Sequence, residues 1–235
     1  MGRPLSRGTR VAARFGPAPR APRRQELMFE RLILSRHGQT IDNARGVAQG
    51  WSDSDLSDEG REQARLLGVR LRVLGPTSIY ASTLSRARKT AEILGAELGL
   101  EVRQLDDLRE VNCGEWEGVA FDEVRMAQPE LYRAWLHDPS TPAPGGESFA
   151  DVDTRVRRAV LAIGEHEAEK GGKATPVVVS HGLAIRILAT GLLGLPLTSA
   201  RTLLQDNASI NIFEWRSDRY LLRCWNDVGH HAYGR

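Results

Sequence analysis

The chain holds 235 residues, 41% of them apolar, with 32 basic against 30 acidic side chains and a formal net charge of +2. This describes an ordinary soluble globular protein with room for a sizeable core. The charge is uneven, however: residues 1–24 carry seven arginines and no acid, so the remainder sits at −5 and the overall pI gives no ground for nucleic-acid binding.

The opening segment MGRPLSRGTRVAARFGPAPRAPRRQE has neither a helical nor a strand period, and residues 1–28 read as a disordered basic tail. It lacks the apolar stretch of a secretory signal, and it is too poor in serine and too rich in proline for a transit peptide. The cytoplasm is therefore the expected location, with Met28 an alternative start. No apolar run of about 18 residues spans a membrane. Two cysteines, Cys113 and Cys224, are too few for a disulfide framework and read as reduced core thiols.

From residue 29 to 235 strand and helix signals alternate. RLILS is a short apolar strand. In LSDEGREQARLLGVRLRVLG, Ser57 is an N-cap, Asp58 and Glu59 suit the positive helix end, and Ala64, Leu67, Leu71 and Leu74 share one face. TSIYAS is a second strand, followed by a helix in which Ala87, Ala91, Leu94 and Leu98 form the buried stripe and Gly99 the stop. EVRQLDDLRE alternates as a third strand. Residues 115–147, rich in Trp, Phe, Pro and Gly, read as an irregular insertion with one or two short helices. The longest helix opens at Ser148 and ends at Gly171 and Gly172. In TPVVVSHG, Val177, Val178 and Val179 run continuously, as in a strand buried on both faces. A helix over LAIRILATGLLG follows, then two strands joined at Arg216 to Arg219. The pattern is one α/β domain with a mostly parallel central sheet.

In open α/β sheets, ligands bind beyond the carboxyl ends of the strands. Three expected strands end on functional groups, at LILS-RHG, IYAS-TLSRAR and VVVS-HG, and a fourth ends at LRE. Singly, each is weak: a histidine is more often structural, and an arginine more often solvated. Together, one rim would gather Arg36, His37, Arg86, His181 and Glu110.

This set resembles the histidine phosphatase superfamily, also called the phosphoglycerate mutase-like family. The resemblance is carried by RHGQT at 36–40 with Asn43, STLSRARKTAE at 82–92, LRE at 108–110 and SHG at 180–182, with GEWEG at 114–118 and PGGES at 144–148. It implies a three-layer sandwich with helices on both faces of the sheet. It also implies phosphoryl transfer through His37 as nucleophile, with the phosphate oxygens bound by Arg36, Arg86, His181 and Asn43.

Chemistry explains the residue types. Guanidiniums bind phosphate oxygens in bidentate fashion and neutralise charge that would repel a nucleophile. A neutral imidazole nitrogen attacks phosphorus without first losing a proton, provided a carbonyl fixes the other nitrogen. Glu110 is the candidate general acid and later base, with Glu117 as fallback; a surface carboxylate paired with Arg109 is the bland alternative. Gly38 would let the backbone approach the ligand, and Gln39, Thr40, Gln49 and Gly50 complete the candidate binding set.

No metal is expected, because His37 and His181 lack partners at ligand spacing and the arginines repel a cation; no cofactor is implied. His230 and His231 read as a solvated tail. Family mutases typically place a tyrosine-containing stretch after the acidic glutamate; LREVNCGEWEGVAFDEVR has none, which favours a phosphatase over a mutase or a non-catalytic binding module. Trp116, Phe121, Met126, Leu131, Tyr132 and Trp135 form either an apolar wall over the site or plain core. The expected partner is a small phosphorylated substrate, not nucleic acid or membrane, with a homodimer left open.

Overall fold

The structure, a computed structural model, describes residues 29–171 and 173–234, so the basic tail expected over residues 1–28 lies outside the described residues. Six strands form one sheet: β1 (Arg31–Arg36), β2 (Ser78–Ser82), β3 (Val102–Leu105), β4 (Pro176–Ser180), β5 (Ile210–Arg216) and β6 (Arg219–Asp227). Their order is β3-β2-β4-β1-β5-β6. The first four run parallel, with Ile33 of β1 opposite Val177 of β4, and β5 and β6 complete the sheet antiparallel.

Alternation along each strand builds two cores. Leu32, Leu34, Tyr80 and Val178 face one side, where α6 (Phe149–Lys170) and α7 (Gly182–Leu193) pack. Ile33, Ile79, Ala81, Val177 and Val179 face the other, against α2 (Asp58–Arg72) and α3 (Ser85–Leu98). Both faces of the sheet are thus covered by helices, as the valine run of β4 requires. Three short helices, α1 (Ile41–Arg45), α4 (Phe121–Ala127) and α5 (Pro129–His137), lie near the strand ends and in the insertion.

The helix boundaries follow their local chemistry. The Ser57 hydroxyl accepts the Gly60 N–H at the start of α2, and Ser148 and Asp151 form a reciprocal capping box on α6. Gly99 ends α3 at φ +69°, a left-handed conformation that favours glycine. Ser217 and Asp218 both have positive φ, 49° and 69°, the geometry that turns β5 tightly into β6. Among the described residues, no helix is long and apolar enough to cross a membrane.

Two expectations need correction. β3 ends at Leu105, and Asp106–Leu108 form a 3-10 turn, so LRE begins on the last residue of a turn and does not end a strand. Two consecutive aspartates are poor strand formers, and Asp106 instead accepts from Thr83 Oγ1 at 2.7 Å and from Arg109. The turn is fixed from below by Leu108, whose carbonyl accepts the Ser180 hydroxyl at 2.7 Å. His230 is also no solvated tail: it is 2% exposed in a C-terminal 3-10 turn that packs against α2, its ring centroid 4.4 Å from that of His231.

Burial first, and the neighbouring His231 second, push the His230 pKa down to about 4 from 6.5. Between those values the unfolded chain holds a proton on this ring that the folded chain lacks. The stability it contributes is complete above pH 6.5 and is lost as pH falls towards 4. His37 and His181, also held below the ordinary histidine value, act in the same direction. The urea midpoint of the wild type should therefore fall between pH 7 and 4.5, and that of His230→Asn should fall less steeply. Equal slopes would show that His230 is not buried in its neutral form.

Candidate active site

The rim of the sheet is built from the ends of β1, β4 and β2. Beyond β1 the His37 N–H donates to the Ser180 carbonyl at 3.0 Å, which docks the two strand ends together. The His37 ring is 3% exposed, and its Nδ1 lies 2.7 Å from the Gly38 carbonyl. A carbonyl only accepts, so Nδ1 carries the proton and Nε2 is left with its lone pair. Burial, then Arg86 and Arg36, holds the His37 pKa well below the ordinary value, and the ring is neutral at pH 7. His181, fully buried at the end of β4, bonds Ser82 Oγ through Nε2 at 2.8 Å. Its ring centroid stands 5.2 Å from that of His37, and burial, then Arg86, holds its pKa low as well.

Two guanidiniums flank these rings. Arg86, on the first turn of α3, is 1% exposed and donates through Nη1 to the Ser52 carbonyl at 2.8 Å and through Nη2 to Gly50 at 2.7 Å. Arg36, the last residue of β1, donates through Nη1 to the Gln205 carbonyl at 2.7 Å, and its pKa is lowered to about 10, chiefly by burial. Carbonyls orient these groups without neutralising them, and among the described residues neither guanidinium forms an ion pair with a carboxylate. Such an arrangement suits an incoming anion.

Glu110 faces the same cavity from the N-terminus of α7. Its Oε1 accepts the N–H groups of Val111 and Ala184 at 2.9 and 3.0 Å, and its Oε2 accepts that of Leu183 at 3.1 Å. Arg109, its alternative partner from the sequence, pairs with Asp106 and Thr83 instead. Glu117, the fallback acid, is occupied elsewhere. It accepts the Trp51 N–H at 2.7 Å and the N–H and hydroxyl of Ser52 at 3.0 and 2.6 Å. That carboxylate ties down the loop whose carbonyls hold Arg86.

The cavity has a volume of about 410 Å³. Of the residues singled out from the sequence, Arg36, His37, Asn43, Gln49, Gly50, Arg86 and Glu110 line it. Gly38, Gln39, Thr40 and His181 do not. The close approach at Gly38 is to α2: a Cβ there would lie 2.3 Å from the Gly60 carbonyl oxygen. Gln39 accepts from Ser57 Oγ at 2.9 Å, and Thr40 is the buried N-cap of α1. Of the insertion residues, Phe121, Tyr132 and Trp135 line the cavity, Trp116 is buried in the core, and Met126 is exposed.

Sequence reasoning missed Asn207, which donates through Nδ2 to the His37 carbonyl at 3.0 Å and to Asn43 Oδ1 at 3.1 Å. It also missed Arg186, Arg201 and Gln205 on the cavity wall. No local motif marks these residues. Among the described residues, no group of three or more His, Cys, Asp and Glu side chains is placed to hold a metal ion.

Residues 32–228 match the family described as the histidine phosphatase superfamily (branch 1), and the chain belongs to it. It is 36% identical, over 85% of its length and 94% of the relative's, to a probable phosphoglycerate mutase GpmB of Erwinia tasmaniensis. Among solved structures it is similar to a mycobacterial glucosyl-3-phosphoglycerate phosphatase in complex with VO3, with TM-score 0.77 and 36% identity over 84% of this chain and 99% of that one. A phosphoserine phosphatase mutant of Entamoeba histolytica, in complex with phosphoserine, matches with TM-score 0.76 and 28% identity over 85% and 98%.

The role of Glu117 predicts a non-additive double mutant. Glu117→Gln should lower kcat/KM about 10-fold in the wild type, since it places an amide N–H₂ against the Ser52 donors. In the Arg86→Ala background it should cost less than about 3-fold, because the group it positions is already gone. Equal losses in both backgrounds would separate Glu117 from Arg86.

Proposed function

We propose that the protein is a phosphomonoesterase that acts through a phosphohistidine on His37 without a metal ion. The bond from Nδ1 to the Gly38 carbonyl carries this reading, because it leaves Nε2 unprotonated on the wall of a cavity shared with Arg36, Arg86 and Glu110. Nε2 attacks phosphorus, the bond to the ester oxygen breaks, and Glu110 supplies the proton that the departing alkoxide needs. Glu110, now a carboxylate, takes a proton from a water that attacks the phosphohistidine. Inorganic phosphate leaves and Nε2 regains its lone pair. Arg36 and Arg86 carry the charge of the transferring group throughout.

The substrate is a small phosphorylated metabolite. Solved neighbours named for glucosyl-3-phosphoglycerate and phosphoserine are phosphatases of single phosphate esters, which supports hydrolysis. The GpmB relatives favour a second reading, a phosphoglycerate mutase, in which a second hydroxyl and not water receives the phosphoryl group. The residues after Glu110 are Val111, Asn112 and Cys113, without the tyrosine typical of family mutases.

Wild-type enzyme should release phosphate from p-nitrophenyl phosphate at an undiminished rate in EDTA, and His37→Ala should lower kcat at least about 10³-fold. Activity of His37→Ala equal to wild type would remove the phosphohistidine. An enzyme that acts on phosphoglycerate only with a bisphosphorylated primer would be the mutase. For the acid role, kcat/KM isolates the step in which the alcohol leaves. Glu110→Gln should lower it about 10²-fold or more for an alkyl phosphate, and far less for p-nitrophenyl phosphate, whose phenolate leaves without a proton. The same loss on both esters would deny Glu110 that role.

A further inference from the structure

Trp51 follows Gln49 and Gly50 of the cavity wall, and its large apolar side chain is 38% exposed. The chemistry above gives this side chain no role. Its polar atom is nevertheless engaged, since Nε1 donates to the Glu110 carbonyl at 2.7 Å. The Arg109 guanidinium carbon stands over the ring, 5.0 Å from its centroid. Arg109 is itself held by Thr83 Oγ1 at 2.8 Å and by Asp106. The indole therefore has two contacts that keep it against the segment carrying the acid.

The Glu110 carbonyl accepts a second donor, Arg155 Nη2 at 2.8 Å, so both of its lone pairs are used. This carbonyl shares one planar peptide unit with the Val111 N–H. That N–H donates to Glu110 Oε1 at 2.9 Å, so a turn of the peptide plane would swing a donor away from the carboxylate. On its other side the carboxylate meets the Leu183 and Ala184 N–H groups of α7. Arg155 fixes the plane relative to α6 and its partner Glu147. Trp51 fixes it relative to the phosphate cradle. Its own N–H donates to Glu117 Oε1 at 2.7 Å, and the carbonyls on either side of it, Gly50 and Ser52, hold Arg86.

We propose that Trp51 is a positioning residue for the proton donor: its indole N–H sets the Glu110 carboxyl group at the right distance from a phosphoryl group held by Arg86. This rests on the phosphatase reading above, in which Glu110 protonates the departing alkoxide. Proton transfer requires heavy atoms within about 2.6–3.2 Å of each other. A misplacement of about 1 Å is enough to cost about 10²-fold in rate. One side chain that spans from the loop of Arg86 to the peptide of Glu110 keeps that spacing fixed. A ring that merely covered the rim would need no bond to the acid's own carbonyl.

The test uses Trp51→Phe, which keeps a ring beneath Arg109 and removes the N–H. Phenyl phosphate and p-nitrophenyl phosphate are close in shape and differ in how far the departing oxygen needs a proton. Trp51→Phe should lower kcat/KM about 10-fold for phenyl phosphate and less than about 3-fold for the nitrophenyl ester. Inhibition by inorganic phosphate should stay within about 2-fold, because Arg86 keeps its carbonyls. In the Glu110→Gln background the same substitution should cost less than about 3-fold on phenyl phosphate. Unchanged kinetics on phenyl phosphate overturn the proposal, as does a full additive loss in the double mutant. Equal losses on both esters, or weakened phosphate inhibition, would assign Trp51 to the cradle and also overturn it. A Trp51→Phe protein without the wild-type circular dichroism would make the residue structural, with the same consequence. Each of these failures leaves the phosphatase reading standing. A wild type that cleaves only the nitrophenyl ester has no working acid for Trp51 to place, and the proposal fails alone. A wild type that cleaves neither ester removes both.

Discussion

Buried positive charge without a carboxylate to meet it is the constraint on which the site depends. Arg86 is almost fully inaccessible and Arg36 is partly buried, yet each is held by backbone carbonyls alone. A carboxylate in either position would satisfy the guanidinium and close the site to an anion. The same charge adds to the effect of burial on the neighbouring histidines. Burial first, and then Arg86 and Arg36, oppose a proton on His37, and burial and then Arg86 oppose one on His181. In the proposed mechanism the guanidiniums that bind the phosphoryl group would thus also help to keep the attacking nitrogen neutral.

Holding unpaired cations in place requires a rigid frame, and two carboxylate contacts supply it at one remove. Glu117 binds the backbone of Trp51 and Ser52, so that the Gly50 and Ser52 carbonyls stay aimed at Arg86. Arg155, which reaches across from α6 and is 8% exposed, pairs with Glu147 at 2.8 Å. It also donates to the carbonyls of Asp107, Arg109 and Glu110 at 3.0, 2.6 and 2.8 Å. The turn that carries Glu110 therefore hangs on a paired arginine. The paired arginine builds, and in the proposed mechanism the unpaired ones bind; the difference lies in which partner each side chain meets.

That division explains how far the sequence could be read. Strand ends were legible, because apolar runs such as RLILS and PVVVS stop abruptly at polar residues, and the capped starts at Ser57 and Ser148 follow from local hydrogen bonding. The 3-10 turn at Asp106–Leu108 was hidden, because two aspartates inside an alternating stretch gain their partners, Thr83 and Arg109, only in the fold. Asn207, Gln205 and Arg186 were hidden for a related reason. They reach His37, Arg36 and the cavity from segments more than 140 residues downstream of β1, with no motif of their own. His230 looked terminal and polar, and only its packing against α2 makes it part of the core.

Why the cradle lies at this point of the sheet follows from the direction of two connections. β1 and β4 are adjacent and parallel, with Arg36 opposite Ser180. The chain leaves β1 towards α2, whose apolar residues join one core, and leaves β4 into α7, whose apolar residues join the other. Neighbouring strands that send their helices to opposite faces open a crevice between their carboxyl ends. His37 and His181 are the first residues beyond those two ends, so they must stand on either side of it. Arg86 then enters from β2 on the far side of β4, and Glu110 from the turn after β3. The phosphate end of the site is accordingly a property of sheet order. The rest of the cavity is shaped by the 115–147 insertion and the segment before β5, outside the parallel sheet, and in the proposed mechanism it would face the leaving group. On that reading, substrate choice would be set there and the chemistry at the rim.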